Sequence, residues 1–302
     1  MEIKKFNQQP RKEISTDSRK IYSFEMPNEN IDKSVVSSFG EEWKKFHQFS
    51  DTEINNLGNA YFDIIDNDII NKNTYGIDIG CGTGRFTKYL SDKIGFMEAI
   101  DPSEAIFTAD KLLEGVDNVR LSIASTDNIP FEDETFDFGM SVGVLHHIPN
   151  TQKALNDCVK KVKIGGYFFV YLYYNLDNKG KIFKFLLALV SGIRKITSSL
   201  PMGLKKIVCD IIAISVYMPF VLIGRLLKLF GFVKLANKLP LSSYQNYSFF
   251  IIRNDALDRF GTSLEQRFSR KQIEEMMKNA GLSKITVSNN IPYWHAIGKR
   301  IK

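Results

Sequence analysis

Between Tyr75 and Tyr174 the apolar residues form short runs separated by longer amphipathic stretches. YGIDIG, MEAID, NVRLSIAS, TFDFGMSVGVL and GYFFVYLYY have strand length and are rich in β-branched and aromatic residues. GRFTKYLSDK, PSEAIFTADKLLEG and QKALNDCVKKV instead carry apolar side chains at helical spacing. Strands alternating with helices of ~10–15 residues predict βαβ units and a parallel sheet. The expected fold is therefore α/β, a doubly wound Rossmann-like core over residues 74–175. Residues 1–33 are polar without a sustained period and read as an arm. Residues 34–73 read as a helical cap: Phe39, Trp43 and Phe46 fall at i, i+4 and i+7, and a second helical stretch follows from Thr52 to Ile70. Residues 176–245 form an insertion, and residues 246–302 complete the core. In that last segment Ser269 and Gln272 have capping-box spacing, Gly281 suits a helix C-terminus, and ITVS and WHAIGKR read as closing strands.

Composition narrows the class. A chain of 302 residues, 44% hydrophobic and 25% charged, is that of a globular protein. Its first fifteen residues contain no apolar stretch of the kind a secretory signal needs, so a cytoplasmic protein is expected. Cys81, Cys158 and Cys209 are too far apart for a disulfide framework or a zinc site and read as reduced thiols. No Asp/His cluster has metal-ligand spacing, so no metal is expected.

The stretch IDIGCGTGRF places Gly80, Gly82 and Gly84 directly behind the first strand. Glycines there let main chain approach a ligand lying across the strand ends, because no Cβ intervenes. Asp101 ends the next strand 23 positions after Asp78, close to the ~20-residue offset at which an acid reaches a ribose hydroxyl. The dinucleotide fingerprint G-x-G-x-x-G is not met, since Arg85 stands at its third glycine, which argues against NAD.

DIGCGTG, IDPS, NIPFEDETFD, SVGVLHHIP and VKIGGYFF follow one another in unbroken order over about residues 76–171. Together they resemble the successive motifs of class I S-adenosylmethionine-dependent methyltransferases. The resemblance implies a seven-stranded, mostly parallel sheet with helices on both faces, and S-adenosylmethionine as cofactor. It implies that Asp78, Gly80, Cys81, Gly82 and Gly84 lie against the methionine end and ribose of that cofactor. Asp101 would accept the two ribose hydroxyls, which suits a carboxylate with two oxygens. Pro102, Ser103, Ser125, Thr126 and Asp127 would border the adenine. The family's adenine-facing acid aligns with Ser125, and Asp127 stands two residues late. His146 and His147 follow the fourth strand near the reactive end; either an imidazole that takes a proton or a ring that only ties the loop fits there. Phe39 and Trp43 would belong to a flap over the cofactor, a role compatible with plain core packing. His47 and His295 read as structural.

Residues 179–240 hold eleven lysines and arginines against one acid, Asp210, more than the whole chain's net +6. Ile207 to Gly224 is near the lower length for crossing a bilayer, but Asp210 and Pro219 lie inside it, so the segment reads as non-spanning. Two readings stand together: a helical lid, and an element touching anionic membrane or a lipid-linked substrate. Tyr244, Tyr247 and Arg253 are the candidate acceptor residues, in a stretch that resembles bacterial methyltransferases of surface-polysaccharide and lipid modification. Basic residues interleaved with aliphatics, and LHHIP in place of an aromatic stacking motif, argue against nucleic acid. The expected activity is methyl transfer to a small-molecule, sugar or lipid-linked acceptor; a non-catalytic nucleoside-binding or partner-binding protein on the same scaffold and a nucleic-acid methyltransferase are the alternatives.

Overall fold

The structure is a computed structural model that describes residues 2–27, 29–43, 49–178 and 180–302. The chain divides into two units, one of Met1–Asp177 with Leu264–Lys302 and one of Asn178–Ser263. A hairpin of β1 (Lys12–Ser15) and β2 (Lys20–Ser23) precedes α1 (Lys33–Trp43) and α2 (Asp51–Tyr61). The alternation follows: β3 (Tyr75–Ile79), α3 (Arg85–Ser91), β4 (Phe96–Ile100), α4 (Ala105–Leu112), β5 (Val119–Ile123), β6 (Phe136–Val142), α5 (Thr151–Val159) and β7 (Val162–Tyr171). The second unit contains α6 (Lys181–Ser198), α7 (Met202–Ile212), α8 (Met218–Leu229), a single turn α9 (Val233–Ala236) and α10 (Phe249–Gly261). The first unit closes with α11 (Arg270–Asn279), β8 (Leu282–Val287) and β9 (His295–Arg300).

The sheet order is β1-β2-β5-β4-β3-β6-β7-β9-β8. The strands from β2 through β7 pair in parallel, while β1, β9 and β8 pair antiparallel with their neighbours. From β3 the chain winds outward to β5 and then returns to the other side with β6, so the sequence order reverses beside β3. That reversal opens a crevice at the carboxyl ends of the strands. Alternate residues line the two faces. Ile77, Ile79, Phe168 and Val170 pack with Leu155 and Cys158 of α5 and Ile273 and Met277 of α11. Met97, Ala99, Phe138 and Phe169 pack on the other face with Phe86 of α3 and Ile106 and Ala109 of α4. Each fully buried Ile, Leu, Val, Met or Phe among these contributes roughly 1.5–3 kcal/mol. Helix α11 begins with the expected reciprocal capping box of Ser269 and Gln272, and Gly281 beyond its end takes φ +88°.

Three expectations need correction. The seven strands implied by the family resemblance are present, but β1 and β2 extend the sheet to nine. Residues 1–33 are thus not merely a polar arm: Ile21 and Phe24 are buried, and Arg19 donates to Asp110 at 3.1 Å. Strands of four residues are too short to display a period, which is why the pattern was silent. The second helical stretch stops at Tyr61, and residues 62–70 are turns. Finally, the core resumes at Leu264 rather than at residue 246, because α10 belongs to the helical unit. There Ile252, Ala256 and Phe260 recur at a four-residue interval and are buried against Cys209, Ala213, Tyr217 and Val221.

Candidate active site

The loop after β3 is shaped by its glycines. Gly80, Gly82 and Gly84 have φ of +78°, +55° and +76°, a region that side chains with a Cβ rarely occupy. A Cβ on Gly80 would stand 2.5 Å from the Val144 side chain, whereas one on Gly82 would meet no heavy atom within 4 Å. Val144 therefore closes the loop on one side, and the space over Gly82 is open to a ligand. The loop amides are not offered outward as the glycine pattern suggests: Gly80 and Cys81 donate to the Ile100 carbonyl, Gly84 to the Cys81 carbonyl, and Gly82 to Asp101. A ligand without phosphate needs close approach to main chain rather than a ring of N–H donors, and this loop supplies the first.

Asp78 and Asp101 end adjacent strands. Asp78 is buried and accepts from Thr87 Oγ1 at 2.6 Å. Burial pushes its carboxyl up to about 7; the Thr87 hydroxyl and the more distant Arg85 oppose the rise, and the charge of Asp101 adds to it. A cation placed beside it would therefore favour its ionised form. Asp101 Oδ2 accepts from the Gly82 N–H at 2.9 Å, and Oδ1 accepts from Ser103 N at 2.8 Å and Ser103 Oγ at 2.6 Å. Burial raises this carboxyl too, against the pull of those three donors. With ~4 acceptor positions on a carboxylate, one remains for a ribose hydroxyl, and the second hydroxyl requires Ser103 Oγ to turn away.

The residues expected to border adenine lie on the loop after β5. Ser125 and Thr126 are buried, and Ser125 Oγ donates to Asp127 Oδ1. Asp127 Oδ2 is buried without a hydrogen-bond partner among the described residues, an acceptor suited to an exocyclic amine. Pro102 is half-buried beside Asp101. Helix α1 runs over this region: a Cβ on Gly40 would lie 3.5 Å from the Ser103 Cβ and 3.4 Å from the Glu104 nitrogen. The side chains of Phe39 and Trp43, and Phe46 and His47 entirely, lie outside the described residues.

His146 and His147 form a 3₁₀ turn just after β6. His146 is fully buried, stacks on Tyr173 with ring centroids 3.9 Å apart, and has no hydrogen-bond partner on either nitrogen among the described residues. Burial, then His147 and Arg267, drive its imidazole well below its ordinary value, so it stays neutral. His147 Nδ1 lies 2.7 Å from the Leu264 carbonyl; Nδ1 must carry the proton in that bond, which assigns the lone pair to Nε2. His295 is structural, as expected, joined to Asp63 at 2.6 Å and to the Pro292 carbonyl at 2.7 Å.

The three acceptor candidates sit in the second unit and are occupied there. Tyr244 is buried in its core with Tyr217, ring centroids 5.4 Å apart. Tyr247 packs on the same cluster, and its carbonyl accepts from Arg225 at 2.6 Å. Arg253 grips Asp210 through Nε and Nη2, the latter at 2.6 Å. These contacts tie Tyr244, Tyr247 and Arg253 into the framework of the second unit. Sequence reasoning passed over Thr87, Val144 and Tyr173. The aromatic cluster YLYY at the carboxyl end of β7 was the available signal for Tyr173, whereas nothing local marks Val144.

Open space over Gly82, a carboxylate at the tip of β4 and an unpartnered acceptor on Asp127 fit S-adenosylmethionine. Residues 77–170 match the family described as a methyltransferase domain. The sterol 4-C-methyltransferase strm-1 of Caenorhabditis elegans is 31% identical over 119 residues, 36% of this chain and 36% of that protein. The demethylmenaquinone methyltransferase of Staphylococcus aureus is 32% identical over 102 residues, 32% of this chain and 42% of that one. The matched stretch covers about two-fifths of the length of these curated relatives. Among solved structures, the YcgJ protein of Bacillus subtilis aligns over 72% of this chain and 65% of its own at 15% identity, with a TM-score of 0.44, a likeness too distant to argue from. Residues 77–170, with their glycine loop and acid-ended second strand, thus form a methyltransferase domain.

Proposed function

We propose that the chain moves the methyl group of S-adenosylmethionine onto a small-molecule, sugar or lipid-linked acceptor, and that the acceptor is carried on or in a membrane. The observations that support the transfer are Asp101 held to the Gly82 N–H, the open face of Gly82 and the unpartnered Asp127 Oδ2 on the loop after β5. When bound, the cofactor supplies an electrophilic methyl on a sulfonium. The chain's own residues bind and orient: Asp101 and Asp127 hold the nucleoside, Asp78 favours the cationic amino-acid end, and Val144 backs the loop. Such a displacement disperses positive charge, so positioning supplies much of the rate. Of the two histidines, His147 is the one suited to take a proton, since its ring is oriented by the Leu264 carbonyl, while burial weakens His146 as a base.

Two supports favour a lipid-borne acceptor. The basic surplus of residues 179–240 matches the anionic inner leaflet and suits a cytoplasmic enzyme working at that surface. Relatives of the domain are named for sterol and for demethylmenaquinone, both lipid-soluble. Incubation of the protein with methyl-labelled cofactor and a cell extract, followed by lipid extraction, tests the reading. Label in the lipid fraction with matching S-adenosylhomocysteine is expected. Label confined to the soluble fraction would remove the lipid-borne part, and bound cofactor without any turnover would leave the non-catalytic alternative.

A further inference from the structure

Helices α7 and α8 are joined by a π turn, Ala213–Tyr217, into one continuous helix from Gly203 to Leu229. It is apolar on two opposite faces. Cys209, Ala213, Tyr217 and Val221 recur every four residues and are buried against α10. On the other side Leu204, Ile207, Ile211, Ile214, Leu226 and Leu229 recur at intervals of three and four or their multiples, each more than half exposed. The apolar surface continues past the helix end through Phe230 and Phe232, at 71% and 59% exposure. Of the 22 large apolar side chains exposed among the described residues, 17 belong to this unit. Soluble monomers rarely expose so concentrated a patch. The rim is basic, with Lys195, Lys234 and Lys238 exposed, and the only acid of residues 179–240, Asp210, is neutralised by Arg253. Ser215, on the outer face, turns its hydroxyl back to the Ile211 carbonyl at 2.6 Å, so it presents no unsatisfied donor there.

We propose that this unit docks on an anionic phospholipid bilayer through the outer face of Gly203–Leu229 and the Phe230–Lys238 segment, lying along the headgroup region without crossing it. Length and composition alone would allow Gly203–Leu229 to span. Its packing partner argues otherwise: α10 runs alongside and carries Arg253, Asp255 and Arg259, charges that hydrocarbon does not accept. A helix apolar outward, clamped inward to a charged neighbour and bordered by lysines is built for the interface, where apolar side chains reach the acyl boundary and the amines meet lipid phosphates. The proposal deepens the reading of a membrane-borne acceptor and rests on it only for its biological purpose.

The test is flotation of the full chain with phosphatidylcholine vesicles, with and without phosphatidylglycerol, at low and high salt, alongside the triple variant Ile211→Gln, Ile214→Gln, Leu229→Gln and the charge variant Lys234→Glu, Lys238→Glu. The parent is expected to float with anionic vesicles at low salt and to partition on the order of tenfold less onto neutral ones. The triple variant loses flotation while keeping the parent's melting temperature and calorimetric cofactor affinity. The charge variant loses the preference for anionic lipid. The proposal is overturned if the parent stays in solution at low salt, or if the triple variant floats like the parent. It is also overturned if light scattering shows a dimer that the triple variant dissolves, since a second copy then covers this face, or if the parent resists alkaline carbonate extraction from membranes, since it then spans. Cofactor affinity is read separately, so failure of docking and failure of the methyl-transfer reading give different results.

Discussion

In the proposed cofactor crevice, Asp78 and Asp101 sit in different environments. Asp78 is buried with one hydroxyl donor, and its carboxyl is pushed up to about 7. Between about pH 4 and 7 the folded chain holds a proton there that the unfolded chain has released, so unfolding free energy falls as pH rises through that window and levels off above it. Asp78→Asn removes this residue's share of the slope. Thermal unfolding should show the variant roughly 5 °C more stable than the parent at about pH 8 and equal to it at about pH 4. The same change should weaken cofactor binding about tenfold or more, because the anion that answers the cofactor's ammonium is gone. Asp101 is instead held by three donors, one of them the Ser103 hydroxyl that competes with the ribose. Ser103→Ala should therefore bind cofactor at least as tightly as the parent by calorimetry; a loss of tenfold or more would mean that the hydroxyl itself touches the ligand.

Elements that are long and periodic could be read from the chain, and those that are short or held by distant partners could not. The five strands from Tyr75 to Tyr171, the helices between them and the capping box at Ser269 follow from pattern and turn chemistry. The β1–β2 hairpin escapes the pattern because its strands are four residues long and its anchor is a tertiary network. Arg120 carries that network: it forms a bidentate pair with the fully buried Glu98 at 2.7 and 2.9 Å, donates to the Lys4 carbonyl, and lies 4.1 Å from the Phe6 ring. Burial raises the Glu98 carboxyl, and Arg120 and the Tyr75 hydroxyl hold it back. Arg120→Ala should cost about 3 kcal/mol in urea unfolding, since it strands a buried acid, and Glu98→Gln in the same chain should recover part of that loss. In the site, the glycines and both acids were legible, because local chemistry demands them. The satisfied loop amides, the Val144 backstop and the engagement of Arg253 by Asp210 arise from packing between residues far apart in sequence, and no local signal encodes them.

At the scale of the molecule, the two units carry distinct properties. The sheet unit contains every residue assigned to the cofactor, and the helical unit holds most of the exposed apolar surface and the basic surplus. That separation predicts that substitutions on the outer face of Gly203–Leu229 leave cofactor binding untouched, while substitutions at the strand tips abolish it without touching lipid attachment. The central claim is that a sulfonium nucleoside lies across the carboxyl ends of β3 and β4 with its ribose on Asp101. The most direct measurement is calorimetric titration of S-adenosylmethionine into the parent and into Asp101→Ala, with thermal melts to verify that the variant is folded. The account predicts one site per chain in the parent and affinity weakened at least a hundredfold, about 2.7 kcal/mol, in the folded variant. Equal affinity in the two proteins, or no binding to the parent, would contradict it.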